Sequence, residues 1–220
     1  TDLADLMEKN FWGNPPGAND KLKPYGINYW IVKDAAKGFN GGAPSGHTLV
    51  GNVNPTTYPK FKNYTGTFSN ISKSDLIRLW REASVKTDFR PPVDGPFSNV
   101  GGDYAYYAPY DVIGKMEEIL EAQNQNLGND VASKDGMTTF RRTPVVWVPF
   151  LDLDQSNVDE ERVYGINWKV FKPVFLSGEY MKETKVAPHP LHHRVLTQYI
   201  DCTYNFLCVD RRRNFVLHKV

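Results

Sequence analysis

From Leu196 to Val209 the sequence alternates in a way that an extended strand satisfies. Leu196, Ile200, Cys202, Tyr204, Phe206 and Cys208 fall on one face and Thr197, Asp201, Thr203 and Asn205 on the other, which is the two-residue period of a pleated strand. Asp210–Asn214 then reads as a turn, and Phe215–Val220 as a second strand returning beside the first. At about 3.3 Å per residue the first strand reaches roughly 45 Å, as long as a compact globule of this size is wide. Ordinary strands have about five or six residues. The feature therefore predicts an elongated or plate-like body with a sheet along its length, and bodies of that shape are built to meet neighbours.

The rest of the chain predicts helices and strands without a regular βαβ rhythm. Thr1–Phe11 carries Leu3, Leu6, Met7 and Phe11 on one stripe and reads as the last turns of an amphipathic helix ended by Asn10 and Gly13. It has little room for an N-terminal cap, so the expectation is a fragment of a longer parent. Tyr25–Val32 is an apolar run that reads as a strand, and Gly38–Gly42 as a glycine-rich turn. A helix is predicted over Lys73–Val85, with Ser72 and Asp75 at capping-box spacing and Leu76, Leu79, Trp80 and Ala83 on one face. Pro91-Pro92 interrupts any regular element between this helix and the next. A second helix starts near Pro109, carries Val112, Ile113, Met116, Ile119 and Leu120, and ends at Leu127-Gly128. Thr138–Arg142, Val145–Phe150 and Tyr164–Leu176 read as strands. The mixture predicts an α+β fold, not a doubly wound sheet.

Composition enters by what it excludes. Lys and Arg total 26 against 25 Asp and Glu, so the chain lacks the cationic excess of a dedicated nucleic-acid binder. No apolar run approaches the ~20 residues that cross a bilayer, and no signal-peptide pattern opens the sequence. The expectation is a soluble protein with no membrane partner. Cys202 and Cys208 are the only cysteines. On one strand they stand roughly 20 Å apart, beyond disulfide reach, and are expected to be free thiols. Asn63-Tyr64-Thr65 and Asn70-Ile71-Ser72 fit the glycosylation pattern but read as plain loop residues.

Chemistry-bearing motifs are few. Gly38–Gly42 lacks both the Lys-Ser/Thr ending of a phosphate loop and dinucleotide spacing. His189, His192 and His193 are the one local histidine cluster, yet a zinc site wants a further ligand at defined spacing. The plain alternative is a loop entering the long strand. Asp152-Leu153-Asp154-Gln155-Ser156 begins like a calcium loop but puts Asn157 at the turn glycine and Val163 at the bidentate Glu. Asp159, Glu160 and Glu161 read as a solvated acidic loop. Arg211-Arg212-Arg213 can grip phosphates, pair with carboxylates of an adjacent chain, or stay solvated. With Asp210 they are the candidate intersubunit contacts. Tyr104, Tyr106, Tyr107 and Tyr110 and the five tryptophans suit core or interface. No nucleophile, base and orienting acid come together, so no catalytic residue, cofactor or metal is assigned.

Several phrases in order along the chain resemble the major capsid proteins of tailed bacteriophages. They are Phe11-Trp12, Lys23-Pro24-Tyr25-Gly26 leading to Tyr29-Trp30, Lys37–Gly42, Phe89-Arg90-Pro91-Pro92, Asn126–Asp130, Phe140–Val145, Tyr164–Trp168 and Asp210–Phe215. The resemblance implies the lambdoid-type capsid fold: a spine helix, a peripheral domain with an elongated sheet, an axial domain, an N-terminal arm and an extended loop. Residues 1–36 would then hold the end of the spine helix and a peripheral-domain segment, 37–150 mainly the mixed α/β axial domain, and 151–220 the return to the long peripheral strands. The arm, the extended loop and most of the spine helix would precede Thr1.

That likeness implies a structural virion protein, not an enzyme, that self-assembles into an icosahedral shell around double-stranded DNA. Its partners would be copies of itself in pentamers and hexamers, with scaffold, portal or cementing proteins as further candidates and packaged DNA held non-specifically. The place of assembly would be the cytoplasm of a bacterial host. Two readings from other classes remain: a metal-dependent enzyme centred on His189, His192 and His193, and a nucleic-acid module using Arg211–Arg213.

Overall fold

Two-residue alternation decides where each strand goes. The computed structural model describes residues 2–20, 22–88, 104–124, 138–141, 143–153 and 161–220. Its first strands are β1 (Gly38–Gly41), β2 (Asn63–Phe68), β3 (Tyr104–Ala108), β4 (Thr139–Phe140), β5 (Thr143–Trp147) and β6 (Val163–Asn167). Six more leave the body as a two-stranded arm: β7 (Phe171–Phe175), β8 (Lys182–Glu183), β9 (Ala187–His189), β10 (His192–Thr197), β11 (Ile200–Asp201) and β12 (Tyr204–Cys208). The chain then returns as β13 (Phe215–Lys219). The main sheet has seven strands in the order β1-β2-β13-β6-β3-β5-β4. It is mixed, with β13 parallel to β2, β3 parallel to β5, and the other neighbours antiparallel.

Alternate residues of the sheet feed two separate cores, one on each face. On one side Tyr64, Phe68, Tyr104, Tyr106, Phe215 and Leu217 pack with the helices α3 (Arg78–Lys86) and α4 (Tyr110–Asn124). Trp80 of α3 is fully buried, with its ring 4.9 Å from Tyr106 and 4.6 Å from Phe140. On the other side Tyr164, Ile166 and Val216 pack against Trp12 of α1 (Asp2–Trp12) and against Ile27, Tyr29, Trp30 and Ile31 of the turn around α2 (Ile27–Trp30). A fifth short helix, α5 (Pro149–Leu153), comes directly after β5. Gly165 at the centre is needed for fit: a Cβ there would stand 2.2 Å from the Phe215 ring. Helices and a large mixed sheet agree with the α+β class. The sheet draws strands from both sides of residue 150.

Local chemistry bears out the first helix. A π-turn, Lys73–Ile77, leads into α3, and the Ser72 hydroxyl accepts from the Asp75 amide at 3.3 Å. The Asp75 carboxylate does not return to Ser72 but accepts from the amides of Ser69 and Asn70. The helix from Pro109 is present as α4, while its expected end at Leu127-Gly128, like Pro91-Pro92, lies outside the described residues.

Five expectations are corrected. The run Tyr25–Val32 is not a strand but contains the single-turn helix α2, since a short, largely buried and mostly apolar run has no period to separate the two. The glycines Gly38–Gly41 form β1, paired with β2, and not a free turn. Val145–Phe150 ends as a strand at Trp147 and enters α5. Tyr164–Leu176 is broken between β6 and β7 at Trp168–Val170, where the Asn167 side chain accepts from the Lys169 amide and its carbonyl from the Val170 amide. That turn sends β7 out of the main sheet. The long strand Leu196–Val209 consequently pairs with Phe171–His189, in segments, and Phe215–Lys219 does not return beside it. The feature is one half of a hairpin arm, not part of a wide sheet.

Candidate functional site

Asp210–Asn214, where the arginine triplet sits, is a single 3-10 turn whose Asp210 carboxylate accepts from the Arg212 amide at 3.0 Å. The turn aims its three arginines at three different environments. Arg211 is fully buried. Its Nε donates to the Trp30 carbonyl at 2.6 Å, Nη1 to Phe61 O at 3.1 Å, and Nη2 to Gly42 O at 2.7 Å, Gly41 O at 3.2 Å and Asn63 Oδ1 at 3.1 Å. These acceptors are neutral oxygens, and burial pulls the guanidinium down to about 10, so it stays charged at neutral pH. Close approach is possible because Gly41 has no side chain: a Cβ there would lie 2.1 Å from Asn63 Oδ1.

Arg211 therefore locks the end of α2, the loop after β1 and the start of β2 to the turn that feeds β13. It is withdrawn from the candidate intersubunit contacts, because a side chain with no exposed surface meets no neighbour. Asn63, read as a loop residue, belongs to β2 and is part of the same lock. Arg212 lies over the Phe39 ring at 3.8 Å, a cation–π contact. Arg213 pairs with Asp88 at 3.3 Å and with Asp210 at 3.4 Å, all three partly exposed. Arg212, Arg213 and Asp210 keep surface that another chain can reach. Sequence reasoning missed the lock because a run of arginines reads as one solvated patch, and only the Gly41-Gly42 pair hints at a backbone that something must approach.

The arm is the larger surface. At its root Phe206 packs on Phe11 at 4.8 Å and stacks on Phe171 at 6.0 Å, Trp30 Nε1 donates to Phe206 O at 3.0 Å, and Asn10 donates to the Tyr204 hydroxyl. Cys208 is buried there and its thiol is pushed up to about 12, chiefly by burial. Further out the ribbon holds itself: Phe175 meets the Tyr180 ring at 4.8 Å, and Lys182 pairs with Glu179 at 2.6 Å. Beyond Tyr180, Val186, Leu191, Val195, Leu196, Tyr199 and Ile200 are 46 to 82% exposed. Of the 22 exposed large apolar side chains among the described residues, 13 lie between Val174 and Val209. A monomeric surface scatters such side chains singly; this one gathers them on a ribbon.

The histidine cluster sits at the arm's tip, where the backbones of His189 and His192 pair across Pro190-Leu191. The side chains of these two and of His193 lie outside the described residues. Among the described residues no three of His, Cys, Asp and Glu gather at metal-ligand spacing. Asp152 of the calcium-like stretch accepts from the Tyr110 amide at 2.9 Å and from Trp147 Nε1, tying α5 to the start of α4; the rest of that stretch, from Asp154 on, lies outside the described residues. Of the expected acidic loop, Glu161 pairs with Lys219 at 2.6 Å. An open cleft of about 400 Å³ runs past Leu6, Lys9, Lys23 and Phe150. Among the described residues, no helix is long and apolar enough to cross a membrane. Comparison with protein families, with curated proteins and with solved structures returns no match.

Proposed function

We propose that this chain is a structural subunit that works by repeated self-association: the major capsid subunit of a tailed bacteriophage, building a closed icosahedral shell around double-stranded DNA. The observation that carries the reading is the arm, a two-stranded ribbon with a dense set of exposed apolar side chains. An isolated two-stranded ribbon is at best marginal in water, so a long one dressed in Leu, Ile, Val and Tyr gains from cover by another chain. Near-neutral charge, +1 over the chain, suits copies packed side by side around DNA without gripping it. Many modest contacts repeated over a closed shell supply stability through symmetry and multivalency.

In this reading the partners are copies of the same chain in pentamers and hexamers. Scaffold, portal or cementing proteins are further partners, DNA is enclosed non-specifically, and assembly takes place in the bacterial cytoplasm. The test is expression of the complete coding sequence that carries these 220 residues, then sedimentation and negative-stain microscopy. Closed particles of uniform size are expected. Persistent monomers under every assembly condition overturn the proposal.

A further inference from the structure

The two edges of the arm are built differently. The outgoing strand, Phe171–His189, carries Pro173 in β7 and Pro188 in β9, positive φ at Gly178 (80°) and Met181 (48°), and one extra residue near Lys185-Val186, where the pairing moves from Ala187↔Thr197 to Glu183↔Ile200. Prolines and bulges are the devices that stop an edge from recruiting another strand. The return strand, His192–Cys208, has no proline. Near the root its outer edge is already used by Trp30 and Tyr25, which bond Phe206 O and Asn205 Oδ1. The pairing shifts on the return strand too, between His192 and Leu196, and from Leu196 to Asp201 the strand is exposed except at Thr197, with Gln198 and Tyr199 joining β10 to β11.

Hydrogen-bond parity shows which groups face out. Pro188 has no N–H to give, so its pair with Leu196 is of the non-hydrogen-bonded kind and Leu196 turns its N–H and C=O away from the arm. Tyr199 directs both of its backbone groups at Thr184. The alternation then turns Gln198 and Ile200 outward as well. Three outward residues, Leu196, Gln198 and Ile200, thus form a short open edge centred on Gln198.

We infer that this edge pairs, antiparallel, with the same edge of a second copy, joining two arms into a four-stranded intersubunit sheet about a two-fold axis at Gln198. The register sets Leu196 of one copy opposite Ile200 of the other, Thr197 opposite Tyr199, and Gln198 opposite Gln198. Aliphatic meets aliphatic, the two Gln198 side chains come face to face with each donating to Glu183 of its own arm at 3.1 Å, and every outward backbone group gains a partner. Charge selects a second copy lying antiparallel. Arg194 lies in the distal half of the arm and Lys185 near its middle, while Glu179, Glu183 and Asp201 outnumber Lys182 in the half nearer the root. Antiparallel overlap lays the cationic half on the acidic half twice; parallel overlap stacks like on like. A two-fold contact of this kind is self-complementary and closes after two chains.

This inference rests on the self-association reading, and the test separates the two. Gln198→Cys is made in the full chain, together with Lys185→Cys at a similar level on the other edge. In the two-fold register the 198 positions face each other with Cα atoms about 5.5 Å apart, within disulfide range. Those at 185 stand on the outermost strands, about 15 Å apart. Mild oxidation is expected to give a covalent dimer of Gln198→Cys and none of Lys185→Cys or of the native chain, whose Cys202 lies far from its own copy. Gln198→Pro, which removes an outward N–H and the exposed side-chain bond to Glu183 at 3.1 Å, is expected to weaken association about tenfold while moving the unfolding midpoint by less than about 0.5 kcal/mol, roughly twofold in the folding equilibrium. Particles that form without the 198–198 link overturn this inference and keep the shell. Linked dimers that never build particles keep the inference and overturn the shell. A dimer linked through Lys185→Cys instead shows the wrong edge and overturns it.

Discussion

The main sheet and the arm are both β-structure from one chain, yet they stand in opposite relations to water. In β13, Phe215, Val216, Leu217 and His218 are all buried, because β2 and β6 flank the strand and a packed layer lies on each face. Along β10 and β11, Val195, Leu196 and Ile200 are open, because a ribbon of two strands has no third strand and no layer to lie under. Alternation alone does not tell these cases apart. It says that a segment is extended, and the number of neighbours decides what its side chains meet. The sheet completes its own contacts, and the arm leaves its contacts to be completed.

The comparison breaks first at Arg211 if the body is not self-sufficient. Arg211→Ala removes the donors that serve four backbone carbonyls and Asn63, and leaves a cavity among them. The expected loss is about 3–5 kcal/mol, read as a drop in the urea midpoint. A loss below about 1 kcal/mol would show that the loops hold without the lock. Arg211→Lys keeps the charge but not the fork of donors, and is expected to recover only part of the loss. Next in size is Gly165→Ala, which drives a methyl into the buried Phe215 ring. Overpacking there is expected to cost about 2 kcal/mol. An unchanged midpoint would mean that β13 and β6 have room between them.

How far the sequence foretold each region tracks the same division. Trp80, Leu76 and Ala83 announced the α3 face at helical spacing, and Val112, Ile113 and Met116 the α4 face; both pack where the pattern put them. Phe171–Cys208 was visible as extended chain, but its pairing turned on Asn167, whose side chain and carbonyl make a turn inside an apparently continuous apolar run. Strand partners are non-local, and alternation carries no label for them. For the candidate site, Arg212, Arg213 and Asp210 were legible as a polar turn. Arg211 was not, because nothing in three equal residues says which one is swallowed by carbonyls from other segments.

The two cysteines give a finer probe of the same contrast. Cys208 sits in the root's core with its thiol raised from an ordinary 9.0 to about 12, while Cys202 on the arm is only half-buried. A thiol reagent is expected to modify Cys202 in the folded protein and to reach Cys208 only on unfolding, which mass spectrometry of a labelling time course checks. Linkage gives the sign with pH. The unfolded Cys208 thiol ionises near 9 and the folded one near 12, so its stabilising contribution is complete below about pH 9 and is lost as pH rises toward 12. Tyr64, raised from 10.0 to about 12 by burial and by Glu82, acts in the same direction. Arg211, lowered to about 10, opposes them by releasing its proton from the folded state first. Two groups against one leaves a net fall in the urea midpoint between pH 10 and 12. A midpoint flat across that window would place Cys208 in contact with water.

The smallest effect on the subunit itself is expected where the exposed apolar side chains are densest. Leu196 is 71% exposed and Ile200 51%, so little apolar area leaves water when the arm folds, and Leu196→Ser with Ile200→Ser should shift the urea midpoint of dilute monomer by less than about 0.5 kcal/mol. The same pair should abolish association at concentrations where the parent sedimentation rises above the monomer, because in the proposed pairing these residues stabilise only the contact between chains. A large loss of monomer stability would show that the arm folds back on its own body and is a structural part of it. An unchanged association would move the contact to another face. Only the combination of an unmoved midpoint and lost association keeps the division between a body that is complete and an arm that is not.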